Sequence, residues 1–255
     1  MSVHTFAPRA ATPLLQRIAI VAAGVEMTRA VLPEAGIVVG LRYRGETVTL
    51  EGGGTRSYPH CAVTGVLPSA RTVRTSADGQ MILGLLRPAA AARLVRAPVD
   101  ALFGVTCALE DIVPAALAQR TVHALYRATS DAERVGVFEQ FLLEAAAPRA
   151  PDPVVDRALA EIDRSAGNVR IAALQVGRSQ DALERRFRAV VGATPKQYAS
   201  LVRFRKALAL HQRGRSLTRI AIEAGYSDQS HFNRHIRRFT GYAPSALFGI
   251  PGGYC

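Results

Sequence analysis

Three things are scarce in this chain of 255 residues. No apolar run reaches the roughly 18 residues that a membrane-spanning helix needs, which speaks against a membrane-embedded protein. Cysteine occurs only as Cys61, Cys107 and Cys255, widely spaced and odd in number. Such a set forms neither a disulfide framework nor a zinc site, and it fits a reducing cytoplasm. Lysine is confined to Lys196 and Lys206, with arginine supplying the other cations. That skew can follow genome base composition, so arginine abundance alone does not assign a function. The opening residues lack the basic head, apolar stretch and small-residue cleavage site of a secretory signal, so a cytoplasmic location is expected.

Enough is present to build a real core, since 49% of the residues are apolar. The net charge of +12 is unevenly placed. From Asp152 onward there are 17 Lys plus Arg against 8 Asp plus Glu, whereas residues 1–151 carry 15 against 12. A polyanion partner would favour such an excess at one end of the chain.

That end contains one segment written twice. Residues 171–198 and 220–247 overlay without a gap, 49 positions apart, matching at Ile171/Ile220, Ala172/Ala221, Gln180/Gln229, Arg185/Arg234, Arg188/Arg237, Gly192/Gly241 and Pro195/Pro244. A short helix, a tight turn and a longer helix rich in Arg and Gln is the sequence pattern of a helix-turn-helix. Ser179 and Asp228 stand at the same place in the two copies, and both residue types cap the start of a helix. In the longer helices Leu183, Phe187 and Val190, like Phe232, Ile236 and Phe239, form the inner face. Helical geometry then puts Asp181, Glu184, Arg185 and Arg188 on the opposite face of one copy, and Ser230, Asn233, Arg234 and Arg237 on that of the other. Arg reads guanine with two hydrogen bonds, Asn reads adenine, and further Arg residues neutralise phosphates. Ser179, Gln180, Asp228, Gln229 and His231, at the helix starts, complete the expected DNA-facing set. Between the copies, residues 196–213 read as one helix, long enough to hold the two readers about one turn of DNA apart, near 34 Å.

Two helix-turn-helix units, the linker run Arg203-Phe204-Arg205-Lys206-Ala207-Leu208 and the run from Ile220-Ala221 through Gly225-Tyr226-Ser227-Asp228-Gln229-Ser230-His231-Phe232-Asn233-Arg234 are similar to the AraC/XylS family of transcription regulators. The ending Arg237-Arg238-Phe239-Thr240-Gly241-Tyr242-Ala243-Pro244 extends the likeness, which covers residues 154–248. The resemblance implies a DNA-binding regulator and not an enzyme. Its partners would be double-stranded promoter DNA and RNA polymerase, with a small effector or partner protein in control and the chain acting as monomer or homodimer. Glu184 departs from the neutral polar residue usual there; it either accepts from a cytosine amino group or leaves base reading to Arg185. Leu247 replaces a common Tyr.

The rest of the chain reads as α+β with a β-rich start. Runs at 16–24, 36–44, 46–52, 61–66, 71–76 and 81–87 favour strands, separated by Gly, Pro and Asp. Helices are expected over 111–118 and 131–146, the latter capped by Ser130 or Asp131. The string Ala147-Pro148-Arg149-Ala150-Pro151-Asp152-Pro153 bars helix and central strand alike. It divides residues 1–147, a sensing or dimerising domain, from 154–248, with 148–153 as linker and 249–255 as tail. The segments Leu85-Leu86-Arg87-Pro88-Ala89-Ala90-Ala91 and Pro98-Val99-Asp100-Ala101-Leu102 resemble the β-rich sensor domains that precede this DNA-binding unit, implying a cupin-like or open β-barrel fold with trailing helices.

Other residue groups carry plainer readings. His231 and His235 stand four apart on a helix, but no third ligand is evident, so no metal and no cofactor are expected. His60-Cys61 reads as a strand edge with a partly buried thiol. Gly52-Gly53-Gly54 lacks the Lys of a phosphate loop and reads as a turn. Arg42, Tyr43, Arg44 and Arg56 read as a solvated strand face rather than an effector pocket. The rival reading is an enzyme or ligand carrier whose N-terminal pocket does the main chemistry, with DNA contact secondary.

Overall fold

The computed structural model describes residues 1–10, 12–95, 98–148, 150–165 and 167–248, so the expected tail at 249–255 lies outside the described residues. The described residues hold ten strands, nine of them ahead of the first helix: β1 (Ser2–Phe6), β2 (Leu15–Ala22), β3 (Met27–Val31), β4 (Val38–Arg44), β5 (Thr47–Glu51), β6 (Gly54–Ser57), β7 (Cys61–Thr64), β8 (Arg71–Thr75), β9 (Gln80–Leu86) and β10 (Thr106–Ala108). They form a six-stranded sheet in the order β1-β2-β9-β4-β7-β10 and a four-stranded sheet in the order β3-β8-β5-β6, both antiparallel and neither closed into a barrel.

Six of the strands match the runs read from the sequence. The four without a counterpart there, β1, β3, β6 and β10, are the four sheet edges. An edge strand pairs on one side only and buries little, so it shows weak alternation. All four residues of β6 are exposed, and none of β1, β3 or β10 is fully buried. Gly52 and Gly53, with φ of 58° and 82°, make the two-residue turn that sets Glu51 opposite Gly54. Positive φ at both central residues matches the twist of the flanking strands.

A short helix α1 (Ala91–Leu94) and 3-10 turns at Pro88–Ala90, Val99–Leu102 and Leu109–Asp111 lead to α2 (Ala115–Arg127) and α3 (Asp131–Ala145). The helix expected over 111–118 begins later and runs further. Pro114 has no amide to donate and sits naturally just before the first turn, and nothing interrupts the chain until Ala128. Ser130, not Asp131, caps α3, its hydroxyl accepting from the Glu133 amide. These helices cover one face of the large sheet: Ile18, Val39, Leu41, Ile82 and Leu86 are each at most 1% exposed in the core they share with Phe138 and Leu142.

Among the described residues seven helices follow: α4 (Pro153–Arg164), α5 (Val169–Gln175), α6 (Gln180–Val191), α7 (Pro195–Gln212), α8 (Leu217–Glu223), α9 (Gln229–Thr240) and α10 (Pro244–Phe248). Asp152 caps α4 from within the Pro-rich string. Thr194 and Gln197 form a reciprocal capping box at the start of α7. Apolar packing runs across residues 148–153: one core joins the β-rich part to α4, α5 and α6, and a second joins Leu32 and Val66 to the α7–α10 group.

The two copies are not related by one offset. The longer helices α6 and α9 start 49 apart, at Gln180 and Gln229, but α5 and α8 are capped by Asn168 and Ser216, 48 apart. Gly177 and Gly225, the positive-φ residues of the two turns, keep the shorter spacing. So do their hydrogen bonds: Gly177 N to Leu174 O and Arg178 N to Ala173 O, against Gly225 N to Ile222 O and Tyr226 N to Ala221 O. The gapless match Ile171/Ile220 is therefore a coincidence of letters. Ile220 is fully buried and Ile171 is 38% exposed, because Ala172 fills the equivalent buried place in the first copy. The second turn carries one extra residue.

Candidate nucleic-acid interface

α6 and α9 are amphipathic helices held by matched ends. The Ser179 hydroxyl accepts from the Ala182 amide at 3.2 Å, and the Asp228 carboxylate accepts from the His231 amide at 2.7 Å. That bond, with a second from the Ser227 hydroxyl, holds the Asp228 carboxyl below its usual range. Both helices stop at a left-handed glycine, Gly192 at φ 81° and Gly241 at φ 78°. Leu183, Phe187, Phe232 and Ile236 are wholly buried, which fixes the rotation of each helix about its axis.

The outward faces follow from that rotation. On α6 and its cap, Ser179, Gln180, Asp181, Glu184, Arg185 and Arg188 are all exposed. On α9 and its cap, Asp228, Gln229, Ser230, Arg234 and Arg237 are exposed, while His231 and Asn233 are half-buried. His231 is drawn in by the Ser227 hydroxyl at 3.1 Å and by the Tyr226 ring. His235 lies on the inner side, its Nδ1 2.9 Å from the Tyr226 hydroxyl. Burial, with Arg203 nearby, pushes its imidazole down to about 4, so it is neutral at pH 7 and engaged by Tyr226.

The two faces differ in electrostatic freedom. α9 holds no acidic residue and carries Arg234, Arg237 and Arg238. α6 includes Asp181 and Glu184, and two of its arginines are turned toward other parts of the chain. Arg186 meets Asp152 at 2.6 Å, and Arg188 lies 3.5 Å from Asp100. The end of α9 is also fastened to the β-rich part, through the Ala70 amide to the Phe239 carbonyl at 2.6 Å. None of these ties across the chain had a signal in the sequence, because each joins residues far apart along it.

Residues 172–249 match a family model described as a helix-turn-helix domain. That stretch, from α5 to the end of α10, is thus a helix-turn-helix domain. No curated protein matches the chain. Among solved structures, an apo ToxT variant from Vibrio cholerae is 11% identical, covering 91% of this chain and 96% of that chain at a TM-score of 0.50. A second ToxT structure from the same organism is 11% identical, with 98% of each chain covered and a TM-score of 0.50. A third, of ToxT with an unsaturated fatty acid bound, is 13% identical and covers 92% and 95% at 0.49. The two-part fold is thus ToxT-like, with a helix-turn-helix domain at residues 172–249. Among the described residues, no helix is long and apolar enough to cross a membrane.

Two groups of residues in the β-rich part depart from the sequence reading. His60-Cys61 is not at a sheet edge: β7 lies between β4 and β10, and Cys61 is 2% exposed. Burial, reinforced by Glu110, pushes its thiol up to about 12, which removes it as a nucleophile. Arg42, Tyr43 and Arg44 do not form a solvated strand face either. β4 is an inner strand; Tyr43 is 5% exposed in the core, and the Arg44 guanidinium lies over the Tyr126 ring at 4.7 Å. Arg42 points into a cavity of about 490 Å³ that also meets Arg17, Glu34 and Arg205. Arg44, at the end of β4, and Arg56, on β6, stay exposed.

Proposed function

We propose that this chain is a sequence-specific regulator that reads two successive major-groove segments of promoter DNA with α6 and α9. In this reading residues 1–147 sense a signal, 148–153 link, and 154–248 bind DNA. Arg185 and Arg234 read guanines, with Asn233, Gln229 and Ser230 assisting, and Arg188 and Arg237 anchor phosphates. The observation that carries the reading is the pair of exposed, arginine-bearing faces on two helices capped and ended alike. α7, at 18 residues, spans about 27 Å at 1.5 Å per residue, a spacer suited to adjacent groove segments.

The cavity in the β-rich part favours sensing over catalysis. Its charged lining is mostly guanidinium, which holds its proton at neutral pH and serves as an anion partner rather than an acid or base. The chain is accordingly read as a regulator and not an enzyme, its effector a small molecule.

The test is selection of duplexes from a random pool by the purified full chain. The expected product is a bipartite motif with its two halves about 10 base pairs apart. Recovery of sequences with no shared motif would overturn base reading.

A further inference from the structure

The extra residue of the second turn brings polar groups together that the first turn lacks. Between Gly177 and the cap Ser179 stands only Arg178, whereas Tyr226 and Ser227 stand between Gly225 and the cap Asp228. The third residue of α9 is His231, where α6 has Ala182. Ser227, Asp228 and His231 lie in mutual contact, and each has a limited number of hydrogens to give.

Counting those hydrogens fixes the state of the imidazole. Ser227 has a single hydroxyl hydrogen, and it goes to Asp228 Oδ2 at 2.9 Å. A carboxylate draws that hydrogen more strongly than a neutral ring nitrogen does. The His231 backbone amide, and after it this same hydroxyl, hold the Asp228 carboxyl below its usual range, so it stays an acceptor. His231 Nδ1 lies 3.1 Å from the Ser227 oxygen, which has only lone pairs left to offer. The hydrogen of that contact therefore sits on Nδ1, and in the neutral ring Nε2 is left as an acceptor. Nε2 makes no hydrogen bond among the described residues and is open to solvent. The ring is also packed in place: the Tyr226 ring meets it edge-on at 5.3 Å, and the Tyr226 hydroxyl is itself tied to His235 at 2.9 Å.

His231 stands three positions before Arg234, so both side chains project from one side of α9, about a turn apart. A guanidinium can only donate, and it suits guanine O6 and N7. An imidazole in the state described can only accept. The hydrogens it can meet in a major groove are those of adenine N6 and cytosine N4.

We propose that His231 Nε2 accepts from the exocyclic amino group of an adenine or cytosine beside the base pair met by Arg234, and that Ser227 and Asp228 are positioning residues holding the ring in its accepting tautomer. This deepens the reading of α9 as a DNA reader and rests on it. Because Ala182 stands at the matching place in α6, only one half of the site has this contact.

Two measurements test it. Long-range proton–nitrogen correlation spectra of the full chain without DNA, in mildly alkaline buffer where imidazoles are neutral, read the tautomer directly. The His231 signals, assigned by their loss in His231→Ala, are expected to show the hydrogen on Nδ1. Ser227→Ala should move it to Nε2, and Ser227→Thr, which keeps the hydroxyl, should leave it on Nδ1. A hydrogen on Nε2 in the unaltered chain, or no response to Ser227→Ala, overturns the proposal.

The second measurement uses duplexes selected by the full chain. His231→Ala should lose its preference at one base pair. At that pair the amino group is then removed, with purine in place of adenine or pyrimidinone in place of cytosine. The unaltered chain should weaken about fivefold more than His231→Ala does, whereas a deaza-purine lacking N7 should affect both alike. Equal weakening on loss of the amino group, or no altered preference in His231→Ala, overturns the contact while a motif still selected keeps α9 as a DNA reader. A chain that selects no motif overturns both, and the spectra still report the tautomer.

Discussion

Arg188 of α6 and Asp100 of the Val99–Leu102 turn face each other at 3.5 Å, Nη2 to Oδ2, tying the face proposed to meet DNA to the β-rich part. The pair is partly exposed, at 50% and 33% of the two side chains, and exposed pairs contribute about 0.2–1 kcal/mol. Asp100→Asn should therefore tighten binding to any duplex by up to about fivefold and steepen its salt dependence. Arg188→Ala should weaken binding and reduce the salt slope by about one unit. Titrations at several salt concentrations check both; an unchanged slope in Arg188→Ala would remove this residue from the phosphate contacts.

Arg234→Ala should cost about 1–3 kcal/mol of binding and relax the preference at one base pair. A side chain that contacts a base edge produces a position-specific loss. Binding measured across a panel of single-base variants checks it, and an equal loss on every sequence would reassign Arg234 to the backbone.

The two helix-ending glycines should respond unequally. Gly192 and Gly241 share a left-handed conformation, so alanine at either costs about 1 kcal/mol in backbone strain. At Gly241 an added Cβ meets open space, but at Gly192 it would stand 2.9 Å from both the Val99 carbonyl oxygen and its Cγ1. Gly192→Ala should lower the thermal midpoint clearly further than Gly241→Ala. Equal shifts would mean that α6 does not press against the Val99 turn in solution.

His235 should make stability fall in mild acid. Its folded-state value of about 4 lies below the ordinary 6.5, so between those pH values the unfolded chain holds a proton that the folded chain does not. Its contribution is fully present above pH 6.5 and is lost as the pH falls toward 4, on the order of 3 kcal/mol at most. Denaturant unfolding at pH 7 and pH 4.5 checks this. His235→Gln should be less stable at pH 7 and lose less between the two values.

The double helix-turn-helix was legible because its signals are local. A cap residue and the amide it binds lie three positions apart, as Ser179 with Ala182 and Asp228 with His231, and the buried stripes of α6 and α9 repeat within a turn or two. Letters misled only in overlaying the supporting helices, where Ile171 and Ile220 agree in type but not in place. In the β-rich part the inner strands were legible and the edges were not, since alternation appears only where one face is buried between neighbours.

By itself, then, the sequence determined α6 and α9, their ends and most of the side chains on their outer faces, because helix geometry converts spacing into direction without help from the rest of the chain. Only the tertiary structure decided that Asp100 meets Arg188, that Glu34 bridges Arg17 and Arg205, and that Arg42 faces a hollow instead of water. Those relationships join distant residues through sheet order and domain packing, which no local pattern records.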